Sequence, residues 1–377
     1  MGTLRLMLAL AVAVGHFRGP FLLIEAHYAV QVFYIFSGFL ISSILAEKYE
    51  GRVWLFYTNR AARILIPYWA AFLLAVAVCL PAKVGFIASL SAVAGSFDLA
   101  TWSYAAFTNA LILGQDLGLF LGWSADTQLY WTTRFSESSV AVWKFQAIPQ
   151  AWSVSVELWF YLLAPFVLRR HVAVLAAIAC SAFAARTLAS DAGLDRDPWT
   201  YRFFPFELTW FLLGAISQRF SRHVVVSQML DRMPRSLPMV VFVAAVALLS
   251  CWGRVPWISE WSSRTTVVQQ PVGLFVAVAI ALPALFRFSF SNQWDRRLGD
   301  LSYPIYIVHY TAIWGFGAWN ILPELGPWRH LVATMVLSVL IAVAVERPVD
   351  RWRQRRVARA SRPGPGGPVP QAAQESA

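Results

Sequence analysis

Charge is what this chain has least of. Of its 377 residues, 14% are Asp, Glu, Lys or Arg, against 58% that are hydrophobic. Soluble domains carry about 25% charge, so an ordinary soluble globular protein is excluded. Cysteine is scarce too. Cys79, Cys180 and Cys251 lie far apart in separate apolar blocks, without CxxC spacing. That pattern fits neither a disulfide framework nor a redox pair, and the three read as buried structural thiols. The six histidines are scattered with no i, i+4 pair, so no metal is expected. There is no internal repeat, and many transporter folds carry one.

What the chain does have is apolar blocks of about 18 to 22 residues, the length that crosses about 30 Å of hydrocarbon. They are continuous rather than alternating, which argues for helices over a barrel. Candidate spans fall at 4–22, 28–46, 64–81, 151–168, 172–190, 201–218, 236–254, 268–286, 298–320 and 329–346. The expected fold is all-α and polytopic, with about ten transmembrane helices. "LMLALAVAVG" resembles the apolar part of a secretory signal, but His16 and Arg18 stand where small cleavage-site residues belong, so it reads as a retained first helix.

Charge tests the count. With a cytoplasmic N-terminus and alternating spans, 21 of the 31 lysines and arginines fall on the cytoplasmic side. The positive-inside rule then holds loop by loop, and the net charge of +11 needs no nucleic-acid partner to explain it. An extra span in the moderately apolar stretch 103–123 would invert every later loop. Residues 82–150 therefore read as re-entrant or interfacial and outward, with Trp102, Trp123, Trp131 and Trp143 available to stack on a sugar ring or simply seated at the interface. Residues 1–350 form the expected membrane domain. Residues 351–377, basic and then Pro/Gly-rich, form an expected disordered cytoplasmic tail.

Polar groups inside spans are costly, and each one raises a functional hypothesis. Arg5 and His16 are eleven residues apart, about 20° past three full turns, so they share a helix face about 16 Å apart along the axis. A membrane anchor and a packed histidine would also account for them. Arg60 and Arg63 are i, i+3 neighbours, either snorkelling anchors or a clamp for phosphate groups. Glu157 lies about two turns inside its span and needs a partner; Glu207 is similar in kind. His309 shares a face with Tyr306, through a bond that serves structure or catalysis equally well.

Taken in order, these segments resemble the acyltransferase-3 family of bacterial membrane acyltransferases, which includes O-acetylases of cell-surface polysaccharides. The resemblance rests on Arg5 and His16 as R-x10-H, "FYIFSGFLI" (33–41) with Ser37, "NRAARILIP" (59–67) with Arg60 and Arg63, "WSVSVELWFYLLAP" (152–165) with Trp152, Ser153 and Glu157, "LGDLSYPIYIVHY" (298–310) with Tyr303 and His309, and "ERP" (346–348). Leu158 stands where many relatives carry a second acidic residue.

The resemblance implies a multi-pass protein of the inner (plasma) membrane, both termini cytoplasmic. It would move an acyl group, acetyl in most relatives, from acyl-coenzyme A to a hydroxyl of a carbohydrate or glycan-type acceptor. Family pattern makes His16 and the arginines essential. On that reading Arg5, Arg60 and Arg63 hold the coenzyme A phosphates, and the pantetheine arm reaches up the helix face toward His16. His16 acts as general base, with Glu157 orienting its imidazole. The oxyanion stabiliser is a serine of "WSVS" or a guanidinium, and a route through acyl-His16 stays open. Ser37, Trp152, Ser153, Tyr303 and His309 form a second tier. The rival is a proton-coupled transporter or flippase with His16 and Glu157 as relay.

Overall fold

The structure is a computed structural model that describes residues 1–17, 24–234, 236–251, 255–290 and 292–360. It is mostly helical. The chain runs through α1 (Gly2–His16), α2 (Ala26–Glu47), α3 (Val53–Ala82), α4 (Phe86–Val93) and α5 (Leu99–Leu111) into a small antiparallel sheet of β1 (Leu121–Ser124), β2 (Gln128–Trp131) and β3 (Val140–Ala141), ordered β2-β1-β3. Then come α6 (Trp152–Val167), α7 (Val172–Asp191), α8 (Phe204–Ser221), α9 (Val224–Arg232), α10 (Ser236–Cys251) and α11 (Pro256–Thr265). A two-residue ribbon, β4 (Thr266–Val267) with β5 (Gln270–Pro271), precedes α12 (Val272–Phe290), α13 (Gln293–Gly299), α14 (Ser302–Ala318), α15 (Trp328–Ile341) and α16 (Arg347–Ala360).

Each of the ten expected segments overlaps a helix. Among the described residues, four helices are long and apolar enough to cross a membrane: Ala26–Glu47, Val53–Ala82, Val172–Asp191 and the run Trp328–Ala360. The end of the expected first span, with Arg18, lies outside the described residues.

Three expectations need correction. The chain is not purely helical: 121–141 forms the small sheet, whose β1 packs with its neighbours around Ala105, Trp123, Val142 and Phe145 as a separate apolar core. Trp123 is buried there with its indole N–H on Gln128 Oε1 (3.1 Å) and has no face left for a sugar, whereas Trp102 and Trp131 are exposed. Second, Cys180 is exposed on α7, while Cys79 is buried as expected. Third, the boundary expected at 350 falls inside α16, and residues 351–360 are helical rather than disordered. Arginine is a good helix former. The helix is also pinned: Arg353 Nε donates to the Asn59 carbonyl (2.8 Å), and Arg356 donates to Asn59 Oδ1 (2.9 Å) and Thr58 Oγ1 (3.0 Å). The Pro/Gly-rich stretch 361–377 lies outside the described residues.

The site is framed by α1, α2, α3, α6 and α14. Helix α1 sits against α2, α13 and α14, and α14 also packs on α3 and α15. The start of α1 is tied down by Asp295, which accepts from the Gly2 and Thr3 amides (2.7 and 2.9 Å). A carboxylate on free N-terminal amides suits a helix start. Helices α2 and α8 approach through two glycines. A Cβ on Gly38 would lie 1.8 Å from the Phe211 carbonyl oxygen, and one on Gly214 would lie 1.9 Å from that of Ile35. Small residues that let backbones meet are how helices associate where lipid gives no hydrophobic drive.

Between α15 and α16, the turn Ala342–Glu346 is π-helical. Such a bulge shifts the phase of the helix beyond it and is frequent at functional sites. Here it brings Glu346 and Asp350 to the same small space as Arg5 and Arg63.

Candidate active site

A cavity of about 230 Å³ opens between five helices. Each lends one face: Arg5 from α1; Tyr34, Ser37 and Ile41 from α2; Arg60, Arg63 and Ile64 from α3; Ser153, Glu157 and Tyr161 from α6; Ser302, Tyr303 and Tyr306 from α14. Apart from the adjacent pairs Arg63–Ile64 and Ser302–Tyr303, the spacings on α2, α3, α6 and α14 are threes and fours, so one stripe of each helix faces inward. Five of the residues expected from sequence thus meet on one wall system: Arg5, Arg60, Arg63, Ser37 and Glu157. Ser153 and Tyr303 join them.

The three guanidiniums define one end. Among the described residues none has a carboxylate within ion-pair distance or a hydrogen bond, and Arg60 is buried with its Nε unpartnered. Arg60 lies over the rings of Tyr161 (5.6 Å) and Phe56 (5.8 Å), which hold its plane without consuming its donors. A second space of about 10 Å³, room for one water, separates Arg5 and Arg63 from Asp300, Glu346 and Asp350. Cations left with open donors beside a cavity suit an anionic ligand.

Glu157 sits midway along the cavity. It accepts from Ser37 Oγ at 2.5 Å and from the Tyr161 hydroxyl, its i+4 neighbour. The sequence expectation pairs Glu157 with His16; the structure gives Glu157 these two hydroxyls instead. Beyond it, Tyr306 closes the far end. Its hydroxyl donates to the Gln150 carbonyl (2.9 Å) and meets Ser153 Oγ at 2.5 Å. Tyr303 is fixed the same way, donating to the Ile64 carbonyl (2.9 Å).

His16 does not line the cavity, nor do His309 and Trp152. Tyr306 stands edge-on to His309 (ring centroids 5.9 Å), and His309 lies against His16 (5.0 Å), with Tyr310 touching both (4.9 and 5.1 Å). His16 is thus one ring beyond the cavity end, exposed, at the last residue of α1. Its Nδ1 is 2.7 Å from the Val12 carbonyl oxygen. A carbonyl only accepts, so Nδ1 carries the hydrogen, and in the neutral ring Nε2 keeps its lone pair. Trp152 faces another cluster: the Arg202 guanidinium lies 4.5 Å over its ring, held by two bonds to Asp197 (2.6 and 2.9 Å).

A model of the acyltransferase-3 family, described as an acyltransferase domain, matches residues 2–347. The chain belongs to the acyltransferase-3 family. It is therefore a membrane acyltransferase, and the matched span contains every residue of the cavity. A stretch of 199 residues is also 24% identical to an uncharacterized protein of Aquifex aeolicus (strain VF5), covering 53% of this chain and 82% of that one. No solved structure matches.

Several residues of this acyltransferase escape a reading of the sequence alone. Tyr161 is four residues after Glu157, a spacing that does signal a shared face. Arg186 lies near the end of the span expected at 172–190, and it proves to be the partner of Glu207 (2.7 Å). Asp300 and Asp350 carry no local signal, because only the packing of α14 and α16 on α3 turns them toward Arg63.

Proposed function

We propose that this acyltransferase moves an acetyl-type group from cytoplasmic acyl-coenzyme A to a hydroxyl of a carbohydrate or glycan-type acceptor on the far side of an inner membrane, crossing it about ten times with both termini cytoplasmic. One observation carries the reading. Three guanidiniums without a direct ion pair or hydrogen bond among the described residues line a cavity that reaches Tyr306 on α14, one ring short of His16, whose Nδ1 faces the Val12 carbonyl. At about 230 Å³ the cavity is smaller than the ~300–1,000 Å³ usual for drug-sized ligands, so it suits an extended arm rather than a whole nucleotide. The nucleotide phosphates would then stay at the arginine end and the pantetheine arm would enter.

The chemistry needs a base, because an alcohol attacks a thioester poorly while it keeps its proton. His16 Nε2 takes that proton, and the backbone carbonyl of Val12 does the orienting that an acid does in hydrolytic triads. The acceptor oxygen bonds to the thioester carbon, the C–S bond breaks, and the thiolate recovers the proton from the imidazolium. Glu157 holds Ser37 and Tyr161 on the cavity wall. A proton relay from Glu157 to His16 has no support here, since the two have separate partners and Tyr306 and His309 stand between them.

Binding and turnover of acetyl-coenzyme A by the purified protein test this, with His16→Ala beside the Arg60→Ala, Arg63→Ala double variant. The expected pattern is binding by wild type and by His16→Ala, loss of binding in the double variant, and a rate about 10²–10⁴ lower in His16→Ala. Failure of the wild type to bind any acyl-coenzyme A would sink the proposal.

A further inference from the structure

His309 is fully buried on α14, and neither of its ring nitrogens makes a hydrogen bond of good geometry; the acceptors within reach are the Ile305 and Tyr306 carbonyls of its own helix. Buried polar groups are almost always paired, because an unmade hydrogen bond costs the whole desolvation of the group. Its ring touches His16 on one side and Tyr306, the end wall of the cavity, on the other. It therefore stands where the arm in the cavity would present its thioester to the base.

Acyl transfer needs a hydrogen-bond donor for the oxygen that becomes negative, and most of the neighbouring donors are committed elsewhere. Ser153 Oγ is taken by the Tyr306 hydroxyl, and Ser155 Oγ by Asp116 at 2.6 Å. Arg202 is bound to Asp197 through two nitrogens and to the Tyr201 hydroxyl. Arg5, Arg60 and Arg63 are at the opposite end of the cavity. Beside His16 the donors left open are the Tyr310 hydroxyl and the His309 imidazole, and of these His309 is fully buried and also meets Tyr306, the end wall of the cavity.

We propose that His309 is the oxyanion donor of this reaction, its neutral imidazole N–H bonding to the thioester carbonyl oxygen. The inference rests on the acyl-coenzyme A reading above. As the acceptor oxygen, deprotonated by His16, bonds to the carbonyl carbon, the C=O electron pair moves onto oxygen and the His309 bond strengthens. When C=O re-forms, the C–S pair leaves with sulfur, and the His16 proton passes to it, giving ester and free thiol. A donor already fixed in a water-poor site costs no reorganisation at that moment, and a neutral imidazole is a known carbonyl electrophile. The thioester carbonyl oxygen would then be the acceptor for the His309 N–H.

The test is the infrared carbonyl stretch of acetyl-coenzyme A, 13C-labelled at the thioester carbon and bound to the full-length protein, read with thiol release. Wild type and Tyr310→Phe should lower the stretch on binding. His309→Phe should bind with similar affinity, leave the stretch at its free value, and release thiol about 10²–10³ more slowly. His309→Gln, which keeps an N–H donor and substitutes if the Phe variant does not fold, should recover part of both signals. A stretch equally lowered in wild type and both His309 variants overturns the oxyanion role while leaving the acyl-coenzyme A reading intact. Absence of any acetyl-coenzyme A binding by wild type overturns both.

Discussion

Two sets of buried or half-buried arginines sit in this protein, and they are handled in opposite ways. On α7, Arg186 gives one terminal nitrogen to Glu207 at 2.7 Å and the other to the Thr200 carbonyl. Gln31 adds its amide to the same carboxylate (3.1 and 3.2 Å) and to Gln270 (2.6 Å), joining α2, α7, α8 and β5. On α1 and α3, Arg5, Arg60 and Arg63 have no such partners and face a cavity. A charge in low dielectric must be paired or must bind something. The first set is a staple of the fold; the second lines a cavity with donors that suit an anion. Residue type does not tell them apart, because both are helical arginines in apolar stretches.

The largest effect that sharpens this contrast is on ligand binding. Arg60→Ala with Arg63→Ala removes two charged donors, each worth about 1.5–3 kcal/mol to an anion, so the dissociation constant for acyl-coenzyme A should rise by about 10²–10⁴. Thermal unfolding in detergent should fall much less than binding, since no direct ion pair or hydrogen bond among the described residues is broken, although Arg63 no longer faces Asp300, Glu346 and Asp350 across their shared space. Equal losses of binding and stability would erase the distinction.

Glu207→Ala should do the reverse. It strands the Arg186 charge in the interior, and removing one partner of a buried pair costs about 3–5 kcal/mol. A lowered melting temperature with near-normal coenzyme affinity in the folded fraction is expected, checked by a melting curve and a titration on the same preparation. Gly38→Ala comes next. The added methyl meets the Phe211 backbone, which cannot swing aside as a side chain would, and overpacking costs about 1–3 kcal/mol. Because Ser37 is adjacent on α2, this variant should lose both stability and acyl-coenzyme A turnover; loss of neither would mean the α2–α8 contact is not what sets the cavity wall. The smallest effect is expected from Ser37→Ala, which removes one hydroxyl from a half-buried Glu157 that keeps Tyr161. About 1 kcal/mol of stability and a rate loss under tenfold should follow, and Tyr161→Phe should match it.

Much of the frame is legible in the sequence. Runs of apolar residues mark the helical segments, because length and hydropathy are local properties. The i, i+3 spacing of Arg60 and Arg63 and the eleven-residue spacing of Arg5 and His16 predict shared faces, since helix geometry alone fixes them. Local reading fails where partners come from elsewhere. Hydropathy starts the third segment at 64, but α3 begins at Val53, because its first turns are held by α16 rather than by burial in an apolar block. The tail helix escapes for the same reason.

The sequence by itself therefore determined the class of protein, its family and the faces on which its intramembrane charges lie. Tertiary structure decided what each charge meets: Ser37 for Glu157 across 120 residues, Arg186 for Glu207, a cavity for Arg60, and His309 for His16. The physical reason is that periodicity constrains a helix only relative to its own axis. Which neighbour fills the opposite side depends on helix approach, here set by glycines such as Gly38 and Gly214, and on the rotation at which the helices lock.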